Sequence, residues 1–326
     1  MAIVNPVFNQ VLNPVQLASA LGRAASAVPL RLVDGLTTPV RVSYTNDLRK
    51  SISGTSKPPP RCLDPELSFL PPGGVARLVH SDLPSMLIGG ISALLLQSLH
   101  PLAMAGVAEH SNYQSDPLGR LRRTATFVGT TTFGSVGDAE QAIAQVQRVH
   151  RRVKGVAPDG RAYSAADPEL VTFIHVAEMS SFLESSRRFG PHPLDPDQCD
   201  EYYAEVAPVA MSLGAEWVPR SHLEVENYFG RIRPELSAGP QALQARDWLR
   251  RGVATRPEER AVYAVLLAAG ISILPPWARR ELKLSAPSSL DLLLDTTTVI
   301  PLTRAVSATM RWLTSGSRTA SDSADR

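Results

Sequence analysis

The chain has 326 residues, 44% of them hydrophobic and 20% charged, which allows a sizeable core and excludes global disorder. Its 33 basic and 31 acidic residues leave a formal net charge of +2, so a dedicated nucleic-acid binder, which would carry a basic excess, is not expected. The 2 cysteines, Cys62 and Cys199, form neither a CxxC pair nor a zinc-ligand spacing, and a reducing compartment is the simplest setting.

Residues 1–67 read as an irregular segment rich in Pro, Ser and Thr, with one credible helix near 14–27 and a linker-like "SKPPPRCLDP". Only "PVRVSYT", residues 39–45, alternates in the manner of a strand. The opening "MAIVNPVFNQVLNPVQLASALG" has no basic region followed by an apolar one, so no classical secretion signal is expected. A cytoplasmic location is the expectation, and contact with a membrane surface is compatible with the apolar runs below.

Residues 68–316 read as one all-α unit of roughly ten helices, followed by a polar tail over 317–326 that the composition predicts to be disordered. The most apolar run, "MLIGGISALLLQSL", is shorter than the roughly 20 residues of a membrane span and is closed by His100-Pro101. It reads as a core helix whose last carbonyls the His100 ring would cap. "VYAVLLAAGISIL" reads the same way. Asp-Pro pairs at Asp116-Pro117, Asp167-Pro168 and Asp195-Pro196 each place an N-cap before a proline at the first helical position. Asp138 with Gln141 resembles a capping box, Ser221 opens "HLEVENYFGRI", and Gly190 is a plausible stop. Further helices are predicted near 240–251, 256–274 and 298–314.

Three histidines and a basic cluster could carry chemistry. In "IAQVQRVHRRVKG", stepping about 100° per residue gathers Ala142, Val146, Val149 and Val153 in one arc. His150 falls at its edge beside Ile143, with Gln147 and Lys154 as flanks. The ring reads either as a core-edge histidine bonded to a backbone carbonyl or as an axial metal ligand, with Lys154 one turn away from a cofactor's carboxylates. In "DPLGRLRRTATFVGTTTFG", Arg120, Arg123, Thr124 and Phe127 share one face. That face is either a charged surface or guanidinium groups and a hydroxyl over a ligand pocket. His175 in "FIHVAEM" lies on a helix apolar almost all round, as a satisfied core histidine, a second pocket residue or an alternative ligand, with Glu178 nearby as acid or base. His80, His110, His192 and His222 carry no constellation. The dinucleotide, P-loop, zinc-protease, serine-hydrolase and EF-hand motifs are absent.

The segments "GGISALLLQSLHPLAMAGVAEHS", "DPLGRLRRTATFVGTTTFG", "VHRRVKGVAPDGRAYSAADPEL" and "LLAAGISILPPWARREL" follow in an order that resembles a family of haem b oxygenases. That family is the bacterial one related to latex clearing protein (rubber oxygenase) and to the mycophenolic-acid-pathway oxygenase. The resemblance covers about residues 68–285. It implies an all-α, globin-like core that holds non-covalent haem b, and dioxygen chemistry on an isoprenoid double bond. On this resemblance His150 is the proximal ligand, and Lys154 stands where the family carries an arginine. Arg120 and Thr124 correspond to the distal-side arginine and threonine. Arg123 replaces a lysine that can close the distal site; a guanidinium stays protonated and is a poor iron ligand. With no secretion signal expected, an extracellular polymer is not the expected substrate.

The expectation is an oxygenase that uses haem b and dioxygen on a hydrophobic, isoprenoid- or lipid-like small molecule. Arg120, Arg123 and Thr124 would be catalytic, and His150, Lys154 and His175 would be cofactor-binding, with His150 on the iron. Two alternatives stand beside it: a haem-binding or sensing protein without turnover, and a haem-free helical lipid binder.

Overall fold

A computed structural model describes residues 61–111, 117–252, 257–285 and 295–315. The helix expected near 14–27, the strand-like 39–45, Asp116 and the polar tail lie outside the described residues. The irregular segment expected over 1–67 lies outside them except for its last residues, from Arg61 onward.

The described part is all-α. Its helices are α1 (Val75–His80), α2 (Leu83–Gln97), α3 (Pro101–His110), α4 (Pro117–Phe133), α5 (Val136–His150), α6 (Pro168–Phe189) and α7 (Pro196–Leu213). They continue with α8 (His222–Ile232), α9 (Pro240–Arg251), α10 (Pro257–Ser272), α11 (Pro276–Glu281) and α12 (Ile300–Ser315). Two strands, β1 (Lys154–Val156) and β2 (Ala162–Ser164), form an antiparallel hairpin between α5 and α6.

Side-chain caps explain five of the described helix starts, those of α2, α5, α6, α7 and α8. Asp167 and Asp195 accept backbone N–H bonds ahead of α6 and α7, each before a proline, and Ser221 does the same for α8. Gly190 ends α6 in an extended conformation. The start of α5 differs from expectation. Its N-cap is Ser135, which accepts from the Asp138 N–H, while the Asp138 carboxylate accepts from the Ser135 N–H. Asp138 is therefore the reciprocal N3 partner of a capping box, one turn into the helix, rather than its opener.

The centre is the packing of α2 against α6. At their crossing a methyl group on Gly89 would come within 2.8 Å of the Phe182 ring and 2.9 Å of the Ser181 carbonyl oxygen, so only glycine admits this approach. Around that pair, Val79, Leu95, Leu96, Phe173, Val176, Leu183, Tyr202 and Val206 form the main core, drawn from α1, α2, α6 and α7. A second apolar cluster, Ile88, Phe189, Leu266, Ala269 and Ile273, seats α10 on the same pair. The apolar run through α2 is thus a core element. No single described helix is long and apolar enough to cross a membrane; α2 and α3 together would be, but they are bent by 106°.

His100 is not a cap for α2. It is the N-cap residue of α3, its side chain makes no capping bond, and its ring lies 5.0 Å from that of Phe173. The proline after it holds His100 extended, and this turns the ring inward, away from the α2 carbonyls.

Candidate functional site

The surroundings of His150 follow from the way α5 is buried. Ala139 is fully buried and Ile143 nearly so, while Val149 is 54% exposed. His150 is in register with Ala139 and Ile143 at helical spacing and, half-buried, ends the stripe they form. The expected arc was displaced because it counted Val149, which is exposed, as part of the buried face. α5 ends at His150, and the chain turns there, with the Val153 N–H donating to the His150 carbonyl at 3.2 Å.

The Nδ1 atom of His150 is sealed from water and has no hydrogen-bond partner. No bond from the rest of the ring to a described residue is seen either. Burial lowers the pKa of the ring below its ordinary value, so it stays neutral and keeps a lone pair available. A buried imidazole nitrogen without a partner costs about 1–3 kcal/mol. One turn earlier, Gln147 Nε2 donates to the Ser212 carbonyl at 2.8 Å and ties α5 to the end of α7.

Lys154 is not one helical turn beyond His150. It is the first residue of β1, exposed, with Ser164 as its register partner. The hairpin was not expected, although Pro158-Asp159-Gly160, between Val156 and Ala162, is a turn sequence; Gly160 adopts φ +86°.

α4 leads into α5 through Gly134 and Ser135, and the two helices are in contact. Toward this junction α4 is buried, at Val128, Thr131 and Thr132, and Phe127 packs on the main core. One turn earlier, Arg123 and Thr124 are exposed. The face that carries Phe127 therefore passes from core to open surface within a turn. α5 shows the same gradient, from Ala139 at the junction to the half-buried His150. Arg120 lies one turn before Thr124 on α4, and its side chain lies outside the described residues.

His175 is in the interior of α6, and its pKa is pushed down to about 4 by burial. It lies beside a constellation that sequence reasoning missed, centred on His80. His80, at the end of α1, has Nδ1 2.8 Å from Thr132 Oγ1 and Nε2 2.9 Å from the Tyr202 hydroxyl. The Tyr202 hydroxyl in turn donates to Met179 Sδ at 3.5 Å. The chain is satisfied when Thr132 donates to Nδ1 and a neutral His80 donates from Nε2 to Tyr202. Burial pushes the His80 pKa down to about 3, with neighbouring His175 adding to the shift. The helix of His80 is short, and its partners are remote in sequence. The available signal was a histidine at helical spacing from the apolar Ala76.

The residues are thus divided. Arg123 and Thr124 lie on the open part of α4, His150 ends the buried stripe of α5, and His175 belongs to the core beside His80. Among the described residues no group of three or more His, Cys, Asp or Glu side chains could hold a metal ion. A haem iron held by a single histidine does not need such a cluster. Two described histidines combine a pKa lowered by burial with an orphaned Nδ1: His150 at the end of α5 and His100 ahead of α3.

A family model described as "ER-bound oxygenase mpaB/B'/Rubber oxygenase, catalytic domain" matches residues 77–312, more than two thirds of the chain. Neither a curated protein nor a solved structure matches. The match runs from α1 into α12, and so includes the C-terminal helix that the resemblance over 68–285 left out. The chain belongs to the family of mpaB/rubber oxygenase catalytic domains.

Proposed function

We propose that the protein is a haem b-dependent oxygenase that acts with dioxygen on a hydrophobic, isoprenoid- or lipid-like small molecule. The observation that carries this reading is His150, whose buried, unpartnered Nδ1 belongs to a neutral ring at the end of a core stripe. Haem b, when bound, supplies the redox-active iron for dioxygen chemistry. His150 is the residue that would hold it. Lys154, exposed on β1 just past the turn, would meet its carboxylates as a point charge.

The remaining roles belong to α4. The Arg123 guanidinium and Thr124 hydroxyl donate hydrogen bonds to polar atoms that enter the open part of the helix face, with Arg120 one turn before them. Arg123 stays protonated, so it acts as a donor and a fixed positive charge and does not compete as a ligand. Phe127, with the buried end of the face behind it, excludes water and offers an apolar wall to the substrate. His175 serves the site from behind, as a neutral ring within the core packing.

The test is spectroscopic. The full chain, expressed with ample haem, is expected to carry a Soret band that His150→Ala abolishes or shifts and that His175→Ala retains. A colourless wild-type protein would sink the haem reading. Loss of the band in His175→Ala alone would move the ligand to α6. Oxygen uptake with unsaturated isoprenoid or lipid substrates then separates turnover from binding. Haem-loaded protein that consumes no oxygen with any of them would be a haem binder.

A further inference from the structure

The turn that follows His150 is held by a group of residues to which no role has been given. Tyr163 is buried at 5% exposure and pairs in register with Gly155 across the hairpin. Its hydroxyl donates to the Glu109 carboxylate on α3 and lies 3.1 Å from Nε2 of His110, the last residue of that helix. The ring runs across Gly155, where a methyl group would come within 2.7 Å of the Tyr163 oxygen and 2.9 Å of the Glu109 carboxylate. The ring also lies against Gly106 of α3. Tyr163 joins Ala105, Ala157, Leu102 and Val153 in a small apolar cluster that seats the hairpin on α3.

Backbone bonds carry this anchoring to His150. The Ala165 N–H donates to the Val153 carbonyl at 2.8 Å, and the Val153 N–H donates to the His150 carbonyl. Together with the Gln147–Ser212 bond one turn earlier, the hairpin fixes the last turn of α5 from both sides.

We propose that Tyr163, through Glu109 and His110, is the positioning residue for the His150 ring. It docks the hairpin on α3 and so sets the direction in which α5 delivers its terminal imidazole. This inference rests on the reading of His150 as a haem ligand. It adds that the ligand's orientation is set by a tyrosine on the following hairpin and by a carboxylate on a helix that precedes it by about 40 residues in sequence.

Two measurements on the full chain test it: amide hydrogen exchange across residues 150–165 without cofactor, and haemin titration followed by the Soret band. Tyr163→Phe removes only the hydroxyl. It should speed exchange over 150–165 about fivefold, leave α2 and α6 unchanged, weaken haemin binding about fivefold and broaden or shift the band. Gly155→Ala, which pushes on the same contact, should act in the same direction. Glu109→Gln keeps an acceptor and should stay within about twofold of wild type. Wild-type exchange and an unchanged band in Tyr163→Phe would overturn the proposal. So would faster exchange with unaltered haemin binding, because the turn would then be loosened without consequence for His150. If the wild-type protein binds no haemin, the haem reading fails, and with it the role toward the cofactor. The exchange data would still decide whether Tyr163 holds the turn.

Discussion

At the scale of single residues, the protein keeps two imidazoles deep in its interior and neutral. His80 has its pKa pushed down to about 3 and His175 to about 4, both by burial, against an ordinary value of about 6.5. The sign of the linkage follows from these depressed values. Between about pH 6.5 and the folded-state values, the unfolded chain binds protons that the folded chain refuses. The stability associated with these rings is therefore fully present above about pH 6.5 and is lost as the pH falls toward 4 and then 3. Each ring contributes a slope of about 1.4 kcal/mol per pH unit over its own range. Urea unfolding of the cofactor-free chain should show midpoints that fall steadily between about pH 7 and pH 5. His80→Gln should lower the stability at neutral pH by about 1–3 kcal/mol, because Thr132 and Tyr202 lose their common partner. It should also flatten the slope by one proton. A wild-type protein equally stable at both pH values would mean that the rings are protonated within the fold.

At the scale of elements, the helix starts at Asp167-Pro168 and Asp195-Pro196 were legible, because the cap and the proline are both local chemistry. The hairpin after α5 was not legible, because its strands are only three residues each. Such strands are stabilised by docking on α3 rather than by any alternation of their own. The same cause misplaced Lys154: the wheel of α5 was carried past the residue where the chain turns. The seat of α12 was illegible for a different reason, distance in sequence. Arg311 donates from Nε and Nη2 to the two oxygens of Asp82, both at 2.8 Å, and from Nη2 to the Phe189 carbonyl. Asp82 is also the N-cap of α2, so a single carboxylate ties α12 to the start of α2, and Phe189 ties it to the end of α6. Asp82 is buried whereas Arg311 is about a quarter exposed, so the cost of breaking the pair lies between the values for surface and buried bridges. Arg311→Met should destabilise the fold by about 2 kcal/mol. It should raise hydrogen exchange in α12 before that in α2. Equal acceleration in both would show that the latch holds the whole core rather than the last helix.

At the scale of the molecule, burial separates a closed centre from the exposed parts of α4 and α5 among the described residues. The crossing of α2 and α6 is sealed by the main core, and α8, α9 and α11 complete one end of it. By contrast, α4 and α5 are buried at their shared junction and lose their cover as they leave it. This gradient was only half legible in the sequence. The arginines and Thr124 pointed to α4, and His150 pointed to α5, but which part of each helix face is core depends on tertiary neighbours that no helical wheel contains. The gradient leads to a prediction about where a ligand acts. A group bound at His150 and against α4 should protect the region it covers and leave the sealed half untouched. On haemin addition to the full chain, slowed exchange is expected in residues 120–133 and 143–165, with no change in α8 or α9. Because binding stabilises only the folded state, haemin at about 100 times its dissociation constant should raise stability by about 2.7 kcal/mol. His150→Ala should lose both the protection and the stabilisation. Protection centred instead on α6 around His175 would place the ligand within the core. The exposed parts of α4 and α5 would then lie outside the site.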